Sequence, residues 1–262
     1  MSKKDSLQTM TMQEVSILRY QEGSLWEAND WVIREEPLEI WNQGHCLTRT
    51  VRLPGQDEDL ALGWCLSEGR ISQREDLVYI QTTHKKEVTC LDLALDNTVS
   101  SSVDQGPAHL RLERDTAGKD PKFSVRPGQA VSVDVLFQAR EAVVSGQELF
   151  QATGGTHCAA IFALGLRLLA LAEDVGRHNA LDKVIGRTLG VNLTQGIMLV
   201  LSSRLNAEMV SKAIRAGIPI LAGVSAPTQH GVDLAAQAGM TLIGFLRPGR
   251  FNVYTHTWRI RP

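Results

Sequence analysis

Apolar and polar residues alternate along the first third of the chain, with the period of two that is typical of β-strands. The alternation is clearest on both sides of the turn-forming sequence Asn42-Gln43-Gly44-His45, which predicts a β-hairpin. Acidic residues at 57–59 then precede an apolar segment that Gly69 can end, which indicates a short helix. The strands expected in this region are residues 31–34, 38–41, 46–53, 78–82 and 88–95.

These elements predict a small α+β domain over residues 25–95, preceded by a polar and flexible tail at residues 1–24. Between residues 96 and 130 the composition shifts to Ser, Asp, Gly, Pro, Lys and Arg, with only short apolar patches. Such a composition favours a loop or a weak hairpin between two domains. The second domain is expected over residues 131–262.

In the second domain, short apolar segments alternate with amphipathic segments of helical period. Ser132 is expected to cap the first helix, whose apolar face includes Leu136, Ala139 and Val143. The order α-β-β-α-β-α-β-α-β predicts a mixed sheet covered by helices, so the fold class is α/β. Later helices are expected at 179–189, 207–216 and 228–238, and strands at 157–164, 166–172, 197–201, 218–224 and 241–245.

Composition and charge narrow the possible partners. The 262 residues are 43% hydrophobic and 21% charged, and the formal net charge is −2, so no overall basic field attracts nucleic acid or anionic membranes. No uncharged apolar run approaches the roughly 20 residues of a membrane span, and the first 24 residues lack the apolar core of a signal peptide. We therefore expect a cytoplasmic protein without a nucleic-acid or membrane partner.

Polar residues are densest between residues 173 and 183, at the junction of a predicted strand and a predicted helix. In open α/β sheets, ligands bind outside the carboxyl ends of strands, where helix N-termini offer unpaired N–H groups to anions. This turn is therefore a candidate anion site. Its candidate binding residues are Asp174, Gly176, Arg177, His178 and Asn179.

Other turns of the same domain have similar chemistry. Ser202, Ser203, Arg204 and Ser225 follow further predicted strands, while Gly154, Gly155, Thr156 and His157 enter the sheet. The last strand leads into Phe245, Leu246, Arg247, Pro248, Gly249 and Arg250. Each segment alone is typical of an ordinary turn, but their coincidence in one domain favours a phosphate-bearing, nucleotide-like ligand, because arginine forms a fixed donor fork for phosphate.

Zinc-dependent nucleobase deaminases share this predicted topology, and they place His-x-Glu at one helix start and Pro-Cys-x-x-Cys at the next. Here the corresponding turns are Arg177-His178-Asn179-Ala180 and Ser202-Ser203-Arg204-Leu205. Neither the glutamate nor the two thiolate ligands are present. We therefore expect neither a zinc deaminase nor any metal site. The four cysteines, at positions 46, 65, 90 and 158, form no zinc-ribbon spacing and are expected to be reduced thiols.

Three long motifs connect the chain to a known family. They are EDVGRHNALDKVIG at 173–186, EMVSKAIRAGIPILAGVSAPT at 208–228 and GFLRPGRFNVYTH at 244–256, with shorter matches at 35–40, 57–63, 67–69, 153–155 and 157. On these motifs the chain resembles the FdhD-type formate dehydrogenase accessory sulfurtransferases over most of its length from about residue 30. The resemblance implies a cytidine-deaminase-like C-terminal domain without zinc, a smaller preceding domain, and a homodimer.

The resemblance also implies a function. Members of that family take sulfur as a persulfide from a cysteine desulfurase. They pass it to the bis(molybdopterin guanine dinucleotide) molybdenum cofactor before its insertion into formate dehydrogenase. The family's nucleotide-binding segment corresponds to residues 245–250 here, and the turn at 173–179 is expected to form a second wall of the site. A guanine dinucleotide agrees with the phosphate-bearing ligand inferred from the turns.

One departure affects the expected sulfur chemistry. The family has a Cys-x-x-Cys in the loop between the domains, whereas residues 112–123 of this chain contain no cysteine. Three hypotheses follow. In the first, Cys158, beside His157, replaces the missing persulfide cysteine. In the second, the protein binds or delivers the cofactor without moving sulfur. In the third, it processes another nucleotide, for which the candidate bases are His157, His178 and Glu173.

Overall fold

Two main β-sheets and the helices between them organise the chain. The computed structural model describes residues 10–85, 88–96, 125, 130–189 and 196–262. The loop predicted at 96–130 therefore lies mostly outside the described residues.

The chain begins with a long antiparallel hairpin formed by β1 (Met12–Gln21) and β2 (Ser24–Ile33). The expected flexible tail is therefore wrong for residues 12–24. Glu22 and Gly23 both have positive φ angles, of 50° and 86°, which is the conformation that lets a two-residue turn join twisted strands. The Glu-Gly pair between two alternating stretches was the sequence signal for this hairpin.

The second sheet of the N-terminal part has the order β4-β3-β6-β5, in which β3 and β6 are parallel and the other pairs are antiparallel. Its strands are β3 (Glu36–Asn42), β4 (His45–Arg52), β5 (Leu77–Lys85) and β6 (Val88–Leu95). Helix α1 (Asp57–Ser67) follows β4 and has three acidic residues in its first turn. The predicted hairpin, helix and later strands are confirmed.

The C-terminal part is built on a six-stranded mixed sheet of order β13-β12-β11-β10-β8-β9. Strands β10, β11 and β12 are parallel, while β8, β9 and β13 each run antiparallel to their neighbours. Its elements are β7 (Val131–Ser132), α2 (Val133–Gly146), α3 (Glu148–Thr153), β8 (His157–Ala163), β9 (Leu168–Asp174), α4 (Arg177–Leu189), β10 (Gly196–Leu201), α5 (Ala207–Arg215), β11 (Ile220–Gly223), α6 (Gln229–Gln237), β12 (Thr241–Arg247), β13 (Arg250–Val253) and β14 (Ile260–Arg261). The mixed α/β fold is thus confirmed.

Both faces of the six-stranded sheet are buried. In β8, Ala159 and Ile161 join the hydrophobic cluster beneath α4, α5 and α6, whereas Ala160 and Phe162 join the cluster beneath α2. Burial on two sides explains why these strands are nearly continuous apolar runs in the sequence. The sequence did not predict α3, β13 or the short parallel pair of β7 with β14.

The N-terminal and C-terminal parts share one hydrophobic cluster, which extends from Leu38 in β3 to Leu221 in β11. Helices α1 and α4 are in backbone contact, since a Cβ added at Gly63 would lie 1.8 Å from the carbonyl oxygen of Asp182. A Cβ at Gly186 would lie 1.8 Å from the carbonyl oxygen of Asp59. Only glycine allows so close an approach.

Candidate functional site

A cavity of about 590 Å³ lies at the edge of the six-stranded sheet where β10, β11 and β12 end. Because β8 runs antiparallel to β10, the beginning of β8 reaches the same edge. This is the edge at which open α/β sheets bind ligands. The predicted residues that line it are Gly154, Gly155, Thr156, His157, Ser202, Leu246, Arg247 and Pro248. The lining residues that the sequence did not single out are Arg140, Val144, Gln147, Phe150, Val175 and Val224.

The loop that enters β8 forms the first side of the cavity. Gly154 ends α3 in the left-handed conformation, with φ of 69°. A Cβ added at Gly155 would lie 2.9 Å from Ile33 Cγ2, so a side chain there would collide with the end of the β1–β2 hairpin. The two glycines therefore leave the backbone of this loop accessible from the cavity.

Glu173 fixes the position of this loop and of α3. Its carboxylate accepts hydrogen bonds from the backbone N–H groups of Leu149 and Phe150, each at 2.9 Å, and from Thr156 Oγ1 at 2.6 Å. The carboxylate thus satisfies N–H groups in the first turn of α3, where a negative charge also complements the helix dipole. Because Glu173 is buried and engaged in this way, it is poorly suited to act as the general base of a nucleotide-processing enzyme.

Ser202 joins β8 to the end of β10 through two reciprocal hydrogen bonds. The N–H of Cys158 donates to Ser202 Oγ at 2.8 Å, and the N–H of Ser202 donates to the carbonyl oxygen of Cys158 at 2.9 Å. The Cys158 side chain packs into the hydrophobic cluster beneath α2 and is 2% exposed. Burial, followed by the nearby charge of Glu173, raises the pKa of the Cys158 thiol.

This environment argues against Cys158 as a sulfur carrier, because the thiolate is the nucleophile in persulfide chemistry. Of the four cysteines in the chain, Cys65 and Cys90 are buried as well, and only Cys46, on β4, is exposed. Burial raises the pKa of Cys65 to about 12. None of the three buried thiols is therefore in a setting that favours sulfur transfer.

The turn between β12 and β13 forms the opposite side of the cavity. Phe245 has a φ of 54°, an unusual conformation for a bulky residue, and its N–H donates to the carbonyl oxygen of Ser225 at 3.1 Å. The pairing of β12 with β13 shifts register between Gly244 and Arg247. The irregularity directs Leu246, Arg247 and Pro248 to the cavity and leaves Phe245, Gly249 and Arg250 outside its lining.

Two guanidinium groups, from Arg140 on α2 and Arg247 on β12, line the cavity together with the imidazole of His157 at the start of β8. Burial lowers the pKa of His157, and the neighbouring charges of Arg177 and His178 lower it further. Arg177 and His178 thus lie close enough to influence His157, although they do not form part of the cavity lining.

The turn at 173–183, which we predicted to bind the ligand, holds the N-terminal part of the protein. Asp174 is fully buried and pairs with Lys183 Nζ at 2.7 Å, and it accepts a hydrogen bond from the N–H of Leu53 at 3.1 Å. Lys183 Nζ also donates to the carbonyl oxygen of Leu53 at 2.9 Å. We call this cluster, with Asn179, the domain joint.

Asn179 completes the domain joint. Its amide donates to the carbonyl oxygen of Val51 at 2.8 Å and to Asp174 Oδ1 at 3.1 Å, while Thr50 Oγ1 donates to its carbonyl oxygen at 3.2 Å. The N–H of Gly176 donates to Asp174 Oδ1 at 2.9 Å. The polar atoms of Asp174, Gly176 and Asn179 are thus engaged by the protein itself, and this turn contributes Val175, not its predicted binding residues, to the cavity lining.

The remaining predicted residues also lie away from the lining. His178 Nε2 is 3.1 Å from Glu208 Oε2, the buried Ser203 hydroxyl donates to the carbonyl oxygen of Arg204, and Arg204 itself is exposed. Among the described residues, no group of three or more His, Cys, Asp or Glu side chains is placed to hold a metal ion. In the same part of the chain, no helix is long and apolar enough to cross a membrane.

Comparison with known proteins agrees with the motifs in the sequence. Residues 33–261 match the model of the FdhD/NarQ family. A relative from Sulfurisphaera tokodaii, named sulfur carrier protein FdhD, is 37% identical over 96% of this chain and 100% of its own length. A relative of the same name from Nocardia farcinica is 41% identical over 88% of each chain.

The fold has a counterpart among solved structures. A crystal structure of a protein from Desulfotalea psychrophila, assigned as a formate dehydrogenase accessory protein, superimposes with a TM-score of 0.80 and 25% identity. The match covers 96% of this chain and 100% of that one. The family resemblance inferred from the motifs is confirmed, whereas the cytidine-deaminase-like description stays a prediction. The chain belongs to the FdhD/NarQ family.

Proposed function

We propose that the protein is an accessory protein of formate dehydrogenase, or of another molybdoenzyme, that binds the bis(molybdopterin guanine dinucleotide) molybdenum cofactor as its cargo. One guanine nucleotide arm of the cofactor occupies the cavity at the sheet edge. The observation on which this depends is the convergence of Arg140, Arg247, His157 and the Gly154-Gly155 loop on one cavity at the carboxyl ends of the strands.

The size and charge of the cavity support a nucleotide. Its volume of about 590 Å³ lies within the roughly 300–1,000 Å³ of small-molecule sites. Arginine binds phosphate strongly because its planar donors match two phosphate oxygens. The diphosphate of the nucleotide arm lies against Arg247 and the glycine loop. We also propose a homodimer, in which each copy offers one such cavity.

The positions and burial of the cysteines support a protein that binds the cofactor and does not transfer sulfur through Cys158. The sequence has no Cys-x-x-Cys, and Cys158 is 2% exposed with a thiol that is hard to ionise. A carrier protein needs an accessible thiolate to accept and release sulfur. We therefore favour a cofactor-binding or chaperone member of the family; a sulfur-transfer role that needs a cysteine desulfurase would have to use the exposed Cys46.

Titration calorimetry with GDP tests the proposal. We expect GDP to bind the wild-type protein, and Arg247→Ala to weaken binding by about 10- to 150-fold, since a hydrogen bond to a charged group contributes about 1.5–3 kcal/mol. Arg187→Ala is the matched control, because Arg187 is exposed on α4 and does not line the cavity. Its GDP affinity should equal that of the wild type.

Two results would contradict the proposal. The first is the absence of GDP binding at millimolar concentration, and the second is an equal effect of Arg247→Ala and Arg187→Ala. A third hypothesis, a nucleotide-processing enzyme, predicts that GDP is converted to product during the titration, which chromatography of the recovered ligand would detect. We expect the recovered GDP to be unchanged.

A further inference from the structure

The β1–β2 hairpin is a two-stranded sheet that pairs with no other strand in the described part of the chain. Each of its strands has ten residues, and it lies almost entirely before residues 33–261, which match the family model. The end of β2 meets the rest of the protein at Ile33, which lies against Gly155. A hairpin of two strands is marginally stable by itself in water, so we expect another surface to cover one of this length.

Large apolar side chains are exposed on both strands of the hairpin. Leu18 and Tyr20 of β1 are 66% and 68% exposed, and Leu25 of β2, which is opposite Tyr20, is 63% exposed. All three lie on one face of the hairpin, because side chains alternate between the faces along a strand and opposite residues share a face. An apolar face of this kind is typical of a surface that another protein covers.

The outer edge of β1 offers backbone groups that no other described strand uses. The N–H of Arg34 donates to the carbonyl oxygen of Thr11 at 2.7 Å, so these two residues form a hydrogen-bonded pair. Such pairs alternate along an antiparallel ladder, which makes Ser16 and Asn29 a non-hydrogen-bonded pair. The N–H and C=O groups of Ser16 therefore point to the outer edge of β1, and those of Asn29 point to the outer edge of β2. A long apolar edge is a template for a further strand.

Charge distinguishes the two edges of the hairpin. Strand β2 carries Glu27 and Asp30 and no basic residue, so two copies of β2 side by side would bring only carboxylates together. Strand β1 carries one carboxylate, Glu14, and one guanidinium, Arg19, in opposite halves of the strand. An antiparallel pair of β1 strands places the acidic half of each copy beside the basic half of the other. The β1 edge is thus complementary to a second copy of itself, whereas the β2 edge is not.

We propose that the β1 strands of two copies pair antiparallel across a twofold axis and form a four-stranded sheet of order β2-β1-β1-β2. This inference rests on the homodimer in the proposed function and does not depend on the cofactor. Because each copy uses its β1 edge once, association ends at a dimer, and the acidic β2 edges stay on the outside. The exposed apolar side chains of the two hairpins then form one continuous face across the axis.

Sedimentation velocity over a range of protein concentrations tests the β1 edge with two matched proline variants. Ser16→Pro removes an outward N–H from β1, and Asn29→Pro removes the directly opposite one from β2. Both variants lose the same hydrogen bond, from Ser16 Oγ to Asn29 Oδ1, and neither changes the charge. We expect Ser16→Pro to raise the dissociation constant of the dimer by about 5- to 150-fold, because the twofold axis doubles the lost backbone hydrogen bond. Asn29→Pro should keep the wild-type dissociation constant.

Amide hydrogen exchange of the wild-type protein gives a second measurement that needs no variant. The outward amides of Ser16 and Leu18 should exchange slowly in the dimer and rapidly after dilution below its dissociation constant. The outward amides of Glu27 and Asn29 in β2 should exchange rapidly at both concentrations, because that edge stays open to water.

A wild-type protein that stays monomeric at every concentration would overturn this inference and the homodimer together, whereas the cofactor site would still be decided by GDP binding. A dimer that is as tight in Ser16→Pro as in the wild type would overturn the β1 edge alone. Equal weakening of the dimer by Asn29→Pro would overturn it too, and so would slow exchange of the β2 amides in place of the β1 amides.

Discussion

Two polar regions lie close together at one edge of the six-stranded sheet, and they differ in whether the protein satisfies its own polar groups. In the domain joint, Asp174, Asn179 and Lys183 pair with one another and with the backbone at the end of β4. At the cavity, Arg140 Nε has no partner among the described residues and Arg247 is exposed. Density of charged residues therefore does not by itself identify a ligand site, because the protein can satisfy a dense polar cluster internally.

The domain joint continues along α4 into a second buried ion pair. Lys212 Nζ lies 2.9 and 2.7 Å from the two carboxylate oxygens of Asp182, and Ser67 Oγ donates to Asp182 Oδ1 at 2.8 Å. Burial raises the pKa of Asp182, and the charge of Lys212 opposes that effect. Helices α1, α4 and α5 are thus held together by the same kind of contact that joins α4 to β4.

The largest expected effect is a loss of folding stability that leaves GDP binding unchanged. Lys183→Met leaves the Asp174 carboxylate buried without its cation, and breaking a buried pair in this way costs about 3–5 kcal/mol. We expect urea denaturation to show that loss in the free energy of unfolding, with GDP affinity retained wherever the variant is folded. Arg187→Met, on the exposed side of the same helix, should change stability by no more than about 0.5 kcal/mol. A fully stable Lys183→Met protein would show that the joint does not hold the two parts together.

A smaller loss of stability is expected at Glu173. This residue is next to Asp174 of the domain joint in the chain, but its carboxylate supports the loop and helix beside the cavity. Glu173→Gln places an amide N–H₂ against donors of α3 and Thr156, so it should destabilise the protein by about 1–2 kcal/mol. It should also weaken GDP binding, because α3 forms part of the cavity. Glu148→Gln, exposed in the first turn of α3, is the control. If Glu173→Gln lowers stability without altering GDP affinity, Glu173 stabilises the fold, as the domain joint does, and does not support the binding site.

The smallest expected effect is a pH dependence at His157. Its pKa is lowered from 6.5 by burial and by Arg177 and His178, so the unfolded chain binds a proton more readily than the folded one. The contribution of His157 to the free energy of unfolding is therefore present in full above about pH 6.5. It is lost as the pH falls through the lowered pKa of the folded protein. A bound diphosphate favours the protonated imidazole, so GDP should bind a few-fold more tightly near pH 6 than near pH 8. In His157→Gln this pH dependence of GDP binding should disappear, and its persistence there would assign it to another group.

Local patterns in the sequence determined most of the elements. Ser132, Asn206 and Thr228 each cap a helix where the sequence predicted one to begin, with side-chain oxygens that accept from N–H groups three residues later. The β1–β2 hairpin was missed because its exposed faces mix polar and apolar residues, so that the stretch resembled a flexible tail. Helix α3 was missed because it is short and none of its residues is fully buried.

The sequence alone therefore determined the α/β class, the order of most elements, the family and the turns that meet at one sheet edge. Only the tertiary structure decided which of those turns is open to a ligand. The partners that occupy Asp174 and Asn179 are Leu53 and Val51, which lie 121 and 128 positions away along the chain. No local pattern contains a hydrogen bond of that span, because it exists only after the two parts of the protein have packed against each other.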